Sequence, residues 1–207
     1  LGDVYKRQVL GEMEKTSTRE ALLDACPHPD ILINNSGGPP PGNFFEWTEE
    51  DFLGAIKSNF TQSAMLMQSV IPSMQKNKFG RIINLSSAAA AIGNKGQANY
   101  VAAKSGIEAM SKTLAREFGL KNITVNCVSP GFIVSDMTNN LPEKVKDQLT
   151  SRIPIANPPN ISEIKNINGL KVKELQTSAK PRIGTPKHIT NLNPSREKIL
   201  SANSSEI

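Results

Sequence analysis

No stretch of the 207-residue sequence stays apolar for eighteen residues, so no segment is a candidate for a membrane-spanning helix. The first ten residues lack the apolar core and small-residue cleavage site of a secretory signal. Cysteine is scarce. Cys26 and Cys127 are the only two, 101 positions apart and without metal-ligand spacing. They read as reduced, buried thiols of a cytoplasmic protein rather than a disulfide. An excess of charge of one sign is missing from most of the chain. Residues 1–151 hold 15 Lys+Arg and 15 Asp+Glu, while residues 152–207 hold 9 and 4, which is the whole net charge of +5. Basicity confined to the C-terminal quarter gives no footing for a nucleic-acid partner. What is present, 38% hydrophobic and 21% charged residues, is the composition of a globular domain with a core.

Residues 1–8, LGDVYKRQ, have no initiator Met and no period, and they read as a segment foreign to the rest of the chain. Thr16–Ala25 has the pattern of a short amphipathic helix. Asp30–Asn34 (DILIN) is an apolar run between Pro29 and Ser36-Gly37-Gly38, as in a strand buried on both faces. Thr48 is a good N-cap, followed by Glu49, Glu50 and Asp51, which suit the positive end of a helix. Helical spacing of Phe52, Ile56, Phe60, Met67, Val70, Ile71 and Met74 carries this helix on, with Pro72 expected to kink or end it. Arg81–Leu85 is a second strand, and Ser86–Gln97 a loop rich in Ala, Ser and Gly. Residues 98–118 are the clearest helix, with Ala103, Ile107, Met110, Leu114 and Phe118 on one stripe and Gly119 as its stop. Thr124–Val128 is a third strand, and Glu143–Ser151 a further short helix.

Alternating strands and helices predict crossover units, hence an α/β fold with a doubly wound parallel sheet and helices on both faces. After Pro154 the texture changes. Residues 155–207 are rich in Asn, Lys and Ser, with no sustained period and no visible face to bury, and they read as a flexible tail. The expected organisation is therefore 1–8, a partial domain over 9–154, and a basic tail over 155–207.

Tyr100 and Lys104 stand four apart on the predicted helix, so they share a face. An ammonium close to a phenol favours the phenolate, lowers its pKa and fits the phenol for proton exchange with a carbonyl or alcohol oxygen. Alone, the pair is also what an ordinary solvated helix face looks like. Its company adds weight. Ser87 follows the second strand at its C-terminal end, the edge where open α/β sheets bind ligands. Asn34-Asn35-Ser36-Gly37 lies at the same edge, and can form either a tight turn or a place for a ligand against the backbone. Asn59 interrupts a helical run, and Pro130-Gly131 ends the third strand.

In order, ILINNSGG, SNF, INLSSAAAAIGNKGQANYVAAKSG and ITVNCVSPGFIVSDM resemble the short-chain dehydrogenase/reductases, and among them the bacterial 3-oxoacyl-acyl-carrier-protein reductases. The resemblance runs from Val9 to Pro154. It implies a Rossmann-like fold and a nicotinamide cofactor, NADP(H) ahead of NAD(H). It implies reduction of a carbonyl, most simply a 3-oxoacyl thioester on a carrier protein in fatty acid biosynthesis, in a cytoplasmic homo-tetramer or homo-dimer. Carried across, Tyr100 is the general acid, Lys104 tunes it and holds the nicotinamide ribose, and Ser87 polarises the substrate carbonyl. Asn59 marks a helix bend and holds a water of the proton relay. Asn35, Ser36 and Gly37 lie on the adenosine-ribose side of the cofactor. Pro130, Gly131 and Ile133 flank the nicotinamide, and Ser135 takes the place of a Thr at its carboxamide.

The sequence departs from the family in three places. Only Gly2 and Gly11 precede Asp30, so the Gly-rich pyrophosphate turn and the family's first strands have no counterpart. The polypeptide as written is therefore expected to turn over weakly or not at all. A non-catalytic remnant serving as an oligomerisation or interaction module is the second reading, with the Asp30–Asn34 strand left as an unpaired edge. Ser36 stands where the family usually has Ala. Arg182-Ile183-Gly184-Thr185-Pro186 resembles a family loop but is separated from Ile153-Pro154 by unfamiliar residues, and the family's last helix and strand do not follow. An altered chain end and a substrate-lid insertion both fit that pattern.

Overall fold

The computed structural model describes residues 8–133, Glu143, Asp147 and residues 199–203. Helix α1 (Thr16–Ala25) leads into strand β1 (Ile31–Asn35). Helix α2 (Glu49–Ile56), a π turn (Lys57–Thr61) and helix α3 (Gln62–Asn77) run on without a break. Then come β2 (Gly80–Leu85), the short helix α4 (Ala89–Ile92), helix α5 (Ala98–Phe118), β3 (Ile123–Val128) and β4 (Ile199–Asn203). The four strands are all parallel, in the order β3-β2-β1-β4. Two compact units exist, one formed by Leu1–Ser129 with Thr177–Ile207 and the other by Pro130–Gln176.

The α/β class with a parallel sheet is as expected. Its core lies where β1, β2 and β3 bring Leu32, Ile82, Ile123 and Val125 against Leu66, Met67, Val70, Ile71 and Met74 of α3 and Ile107 of α5. Each such side chain taken from water contributes about 1.5–3 kcal/mol. Along β2 the alternation is clean. Gly80, Ile82 and Asn84 are buried, and Arg81, Ile83 and Leu85 only partly so. Among the described residues no helix is long and apolar enough to cross a membrane.

Several expectations shift in detail. Pro72 neither ends nor interrupts α3, which continues five residues beyond it to Asn77. Gly119 caps the long helix after Phe118, as expected, though without a left-handed turn. It has φ −56° and begins a 3-10 turn, and Asn122 (φ 60°) supplies the left-handed residue instead. Asn122 also donates from Nδ2 to the Lys78 carbonyl, and so ties the entries to β2 and β3 together. The loop after β2 contains α4. Both cysteines are free, as expected, but half-buried rather than buried. Of the helix expected over Glu143–Ser151, Glu143 and Asp147 are helical, and the other positions lie outside the described residues.

The largest difference is β4. Residues 189–207 showed no period, yet Ile199–Asn203 pairs with β1 from Ile31↔Ile199 to Asn35↔Asn203, with Leu200 buried. Strand β1, expected to have an unpaired edge, has a neighbour on each side. The other positions of the expected tail lie outside the described residues.

Candidate active site

Three elements bring the predicted groups to the C-terminal ends of β1 and β2. The first is the α2–α3 rod. Thr48 and Asp51 form a reciprocal capping box, with the Asp51 amide donating to Thr48 Oγ1 and the Thr48 amide donating to Asp51 Oδ2. One turn of π helix follows at Lys57–Thr61, where the Gln62 amide reaches back to the Lys57 carbonyl. Such a wide turn leaves carbonyls short of partners. Side chains make up the loss: Asn59 Nδ2 donates to Ala55 O at 3.3 Å, Gln62 Nε2 donates to Ser58 O, and Ser58 Oγ donates to Gly54 O at 2.9 Å. The bend expected at Asn59 is thus a π turn that points Asn59 into the interior.

Helix α5 is the second element. Its first turn is tied to α2 by Asn99, whose Nδ2 donates to Asp51 O at 3.4 Å and whose Oδ1 accepts from the Tyr100 amide at 2.7 Å. Midway, a side chain at Gly106 would lie 3.3 Å from the Phe60 ring, so glycine lets the helix sit close against the π turn. Strand ends are the third element. Glu108 of α5 accepts from Ser86 Oγ at 2.7 Å and from Ser129 Oγ at 2.8 Å. Below it a buried polar ladder crosses the sheet: Asn34 Nδ2 donates to Asn84 Oδ1, Asn84 Nδ2 to Ser111 Oγ (both 2.8 Å), and Ser111 Oγ to Ile107 O at 2.7 Å. Buried and mutually bonded groups of this kind hold one geometry, because breaking any link strands a partner away from water.

Lys104 lies at the centre and is 1% exposed. Its Nζ donates to Leu85 O at 2.7 Å and to Ser36 Oγ at 3.3 Å, and stands 5.7 Å from the centroid of the Tyr100 ring. Ser36 Oγ in turn donates to Asn59 Oδ1 at 2.9 Å. Tyr100 is half-buried with the Ser87 side chain beside its phenol, and Ser87 Oγ accepts from the Ala89 amide at 3.2 Å. The Tyr100 ring rests on Gly38, where an added Cβ would lie 3.0 Å from Cε2.

Burial disfavours charge at both members of the pair. It pushes the Lys104 ammonium down from 10.5 to about 8, against a smaller opposing pull from Cys127. It pushes the Tyr100 phenol above its ordinary value, against a smaller lowering by the Ser87 side chain. The depression expected at Tyr100 is therefore not found. Two of the lysine's three N–H groups are committed to Leu85 and Ser36 rather than to the phenol, and burial outweighs its field.

Asn59, Ser87, Tyr100 and Lys104 are brought together, and Ser36 joins them with its hydroxyl turned inward. Asn35 is exposed at the end of β1, and Gly37 is half-buried beside Ser36. Pro130, Gly131 and Ile133 follow β3 and belong to the second compact unit. Ser135 lies outside the described residues. Gly38 and Glu108 were not singled out from the sequence. The doubled glycine was a visible signal for the first, whereas nothing in sequence marks a glutamate that accepts from serines 22 and 21 positions away. A cavity of about 530 Å³ lined by His28, Asp30, Ser69, Pro72, Ser73, Lys76 and Asn77 lies at the opposite ends of the strands, with none of these groups.

A parallel sheet carrying Ser87, Tyr100 and Lys104 at its C-terminal edge defines a class, and the chain belongs to the short-chain dehydrogenase/reductase family. Residues 3–169 match a family model described as "Enoyl-(Acyl carrier protein) reductase". Among its relatives, a 3-oxoacyl-[acyl-carrier-protein] reductase of Staphylococcus epidermidis is 44% identical over 126 residues, covering 61% of this chain and 52% of that protein. One of Haemophilus influenzae is 38% identical over 171 residues, 81% of this chain and 69% of the relative. One of Pseudomonas aeruginosa is 37% identical over 153 residues, 74% of this chain and 62% of the relative. The chain thus spans about half the length of the first of these relatives.

Proposed function

We propose that this site performs the proton-transfer half of a nicotinamide-dependent carbonyl reduction, with a 3-oxoacyl thioester on a carrier protein as substrate. The observation that carries the reading is the buried Lys104, its ammonium 5.7 Å from the centroid of the Tyr100 ring at the sheet's C-terminal edge, with Ser87 beside the phenol. Two hydroxyls there suit one carbonyl oxygen, with Ser87 polarising it and Tyr100 protonating it. A phenol held above its ordinary pKa stays protonated at neutral pH, as a proton donor must. Lys104, near 8, can return a proton to the phenolate downhill. The donor set fits the nicotinamide-ribose end of the cofactor, since Lys104 has one N–H uncommitted among the described residues and Gly37-Gly38 keep that edge low. When bound, the nicotinamide supplies the hydride. NADP(H) is the proposed form, and Asn35 and Gly37 are proposed to line it.

The test is turnover of 3-oxobutyryl-carrier protein with NADPH and with NADH, followed by loss of nicotinamide absorbance. Turnover that disappears in Tyr100→Phe supports the reading. Turnover of an enoyl thioester but no 3-oxoacyl thioester would replace it.

One observation favours the second reading, a non-catalytic module. The outer side of β1, where a family strand had no counterpart in the sequence, is taken by β4. Calorimetric titration with NADPH separates the two, because a module binds none.

A further inference from the structure

Reduction as proposed uses Tyr100, Lys104 and Ser87 but has no part for the hydroxyl of Ser36. That hydroxyl is enclosed. Ser36 is 8% exposed, and both its partners, Asn59 and Lys104, are 1% exposed. The direction of each bond is forced. An ammonium has only donors, so Ser36 Oγ accepts from Lys104 Nζ at 3.3 Å. Its one hydrogen then goes to Asn59 Oδ1 at 2.9 Å. Asn59 has no freedom to reverse this, since its Nδ2 is held by Ala55 O and by Ser58 Oγ at 2.9 Å. The π turn fixes Asn59, Asn59 aims the hydroxyl, and the hydroxyl presents a lone pair to the lysine. Alanine at this position would make neither bond.

We propose that Ser36 is a positioning residue for Lys104: its hydroxyl, aimed by Asn59, and the Leu85 carbonyl together hold the ammonium at one point between the ends of β1 and β2. Two of the three N–H groups are thereby fixed, and the third is left for the Tyr100 side of the site. The catalytic consequence rests on the reductase reading above, whereas the placement does not. Titratable groups facing Lys104 are Tyr100 one turn earlier on α5, Cys127 of β3, and Glu108 one turn later, which is bonded to Ser86 and Ser129.

The experiment tracks the lysine itself. In the full chain with 13C-labelled lysine, the Cε signal of Lys104 is assigned by its loss in Lys104→Gln and titrated by NMR. Removing an acceptor from a buried ammonium penalises the charged form, so Ser36→Ala lowers the midpoint by about one unit, and Ser36→Thr restores it. An unmoved midpoint in Ser36→Ala, with an unchanged backbone spectrum, overturns the proposal. If Ser36→Ala does not fold, Ser36→Cys, of similar shape but a weak acceptor, is read by the same two outcomes. In turnover, Ser36→Ala lowers kcat roughly tenfold with the KM for thioester unchanged. A raised KM with unchanged kcat would place Ser36 in substrate binding and overturn the proposal. The two readings fail separately. A shifted midpoint in a protein that reduces no 3-oxoacyl thioester removes the function and keeps the positioning role. Reduction with an unmoved midpoint does the reverse.

Discussion

The Lys104 ammonium sits 2.7 Å from the carbonyl oxygen of Leu85, the last residue of β2, and so joins the middle of the site to the end of a strand. A charge this deeply buried affects stability as well as chemistry. The folded form loses its proton near pH 8, the unfolded chain near 10.5. Between those values the unfolded state binds more protons, so stability rises with pH. The cost of the charged lysine is fully present below pH 8 and is relieved toward 10.5, by up to about 3 kcal/mol. Denaturant unfolding of wild type and Lys104→Met at pH 7 and pH 10 checks this. The wild type gains on the variant as pH rises, and a constant difference would mean the ammonium is not strained.

Tyr100→Phe removes the proton donor and leaves the ring in place. Carbonyl reduction falls by about two to four orders of magnitude, the usual contribution of a positioned acid. Ser87→Ala, which keeps the donor, costs less. Steady-state kinetics on both variants decides the order, and near-normal turnover in Tyr100→Phe would remove Tyr100 from the mechanism.

Gly38→Ala places a methyl 3.0 Å from Tyr100 Cε2 and 3.2 Å from Cδ2. The half-buried ring yields rather than the backbone. Turnover drops roughly tenfold or more through a misplaced phenol, while the denaturation midpoint stays near that of wild type. A large loss of stability would show that the ring is held rigidly.

Leu200→Asp puts a carboxylate where a leucine is 3% exposed on β4. An unpaired buried charge is not tolerated, so β4 leaves β1. Amide exchange at Ile31–Asn35 then accelerates on that side. Unchanged protection of those amides would show that β4 does not stay on the sheet.

Where periodicity was strong, the sequence was legible. Thr16–Ala25 and residues 98–118 are helices with the bounds their stripes predicted, and three strands fall within one residue of theirs. Asn59, Ser87, Tyr100 and Lys104, expected at one site, also lie together. Features that depend on distant neighbours were not legible. Strand β4 has five residues and a partner more than 160 positions away, so no local pattern announces it. Pro72 stays helical because α3 is locked by buried Val70, Ile71 and Met74 around it. The raised phenol and lowered ammonium result from burial, which spacing on a helix does not report.

The π turn at Lys57–Thr61 has a consequence for how sequences of this kind are to be aligned. Each residue advances a helix by about 100°. Taking one residue out of this turn would restore ordinary winding and swing Asn59 away from Ser36, or else turn the whole Leu66–Met74 stripe off the sheet. A single-residue gap between Thr48 and Leu66, in what looks like uninterrupted helix, is therefore a change of which side chains face inward, and length there is under the same constraint as residue identity.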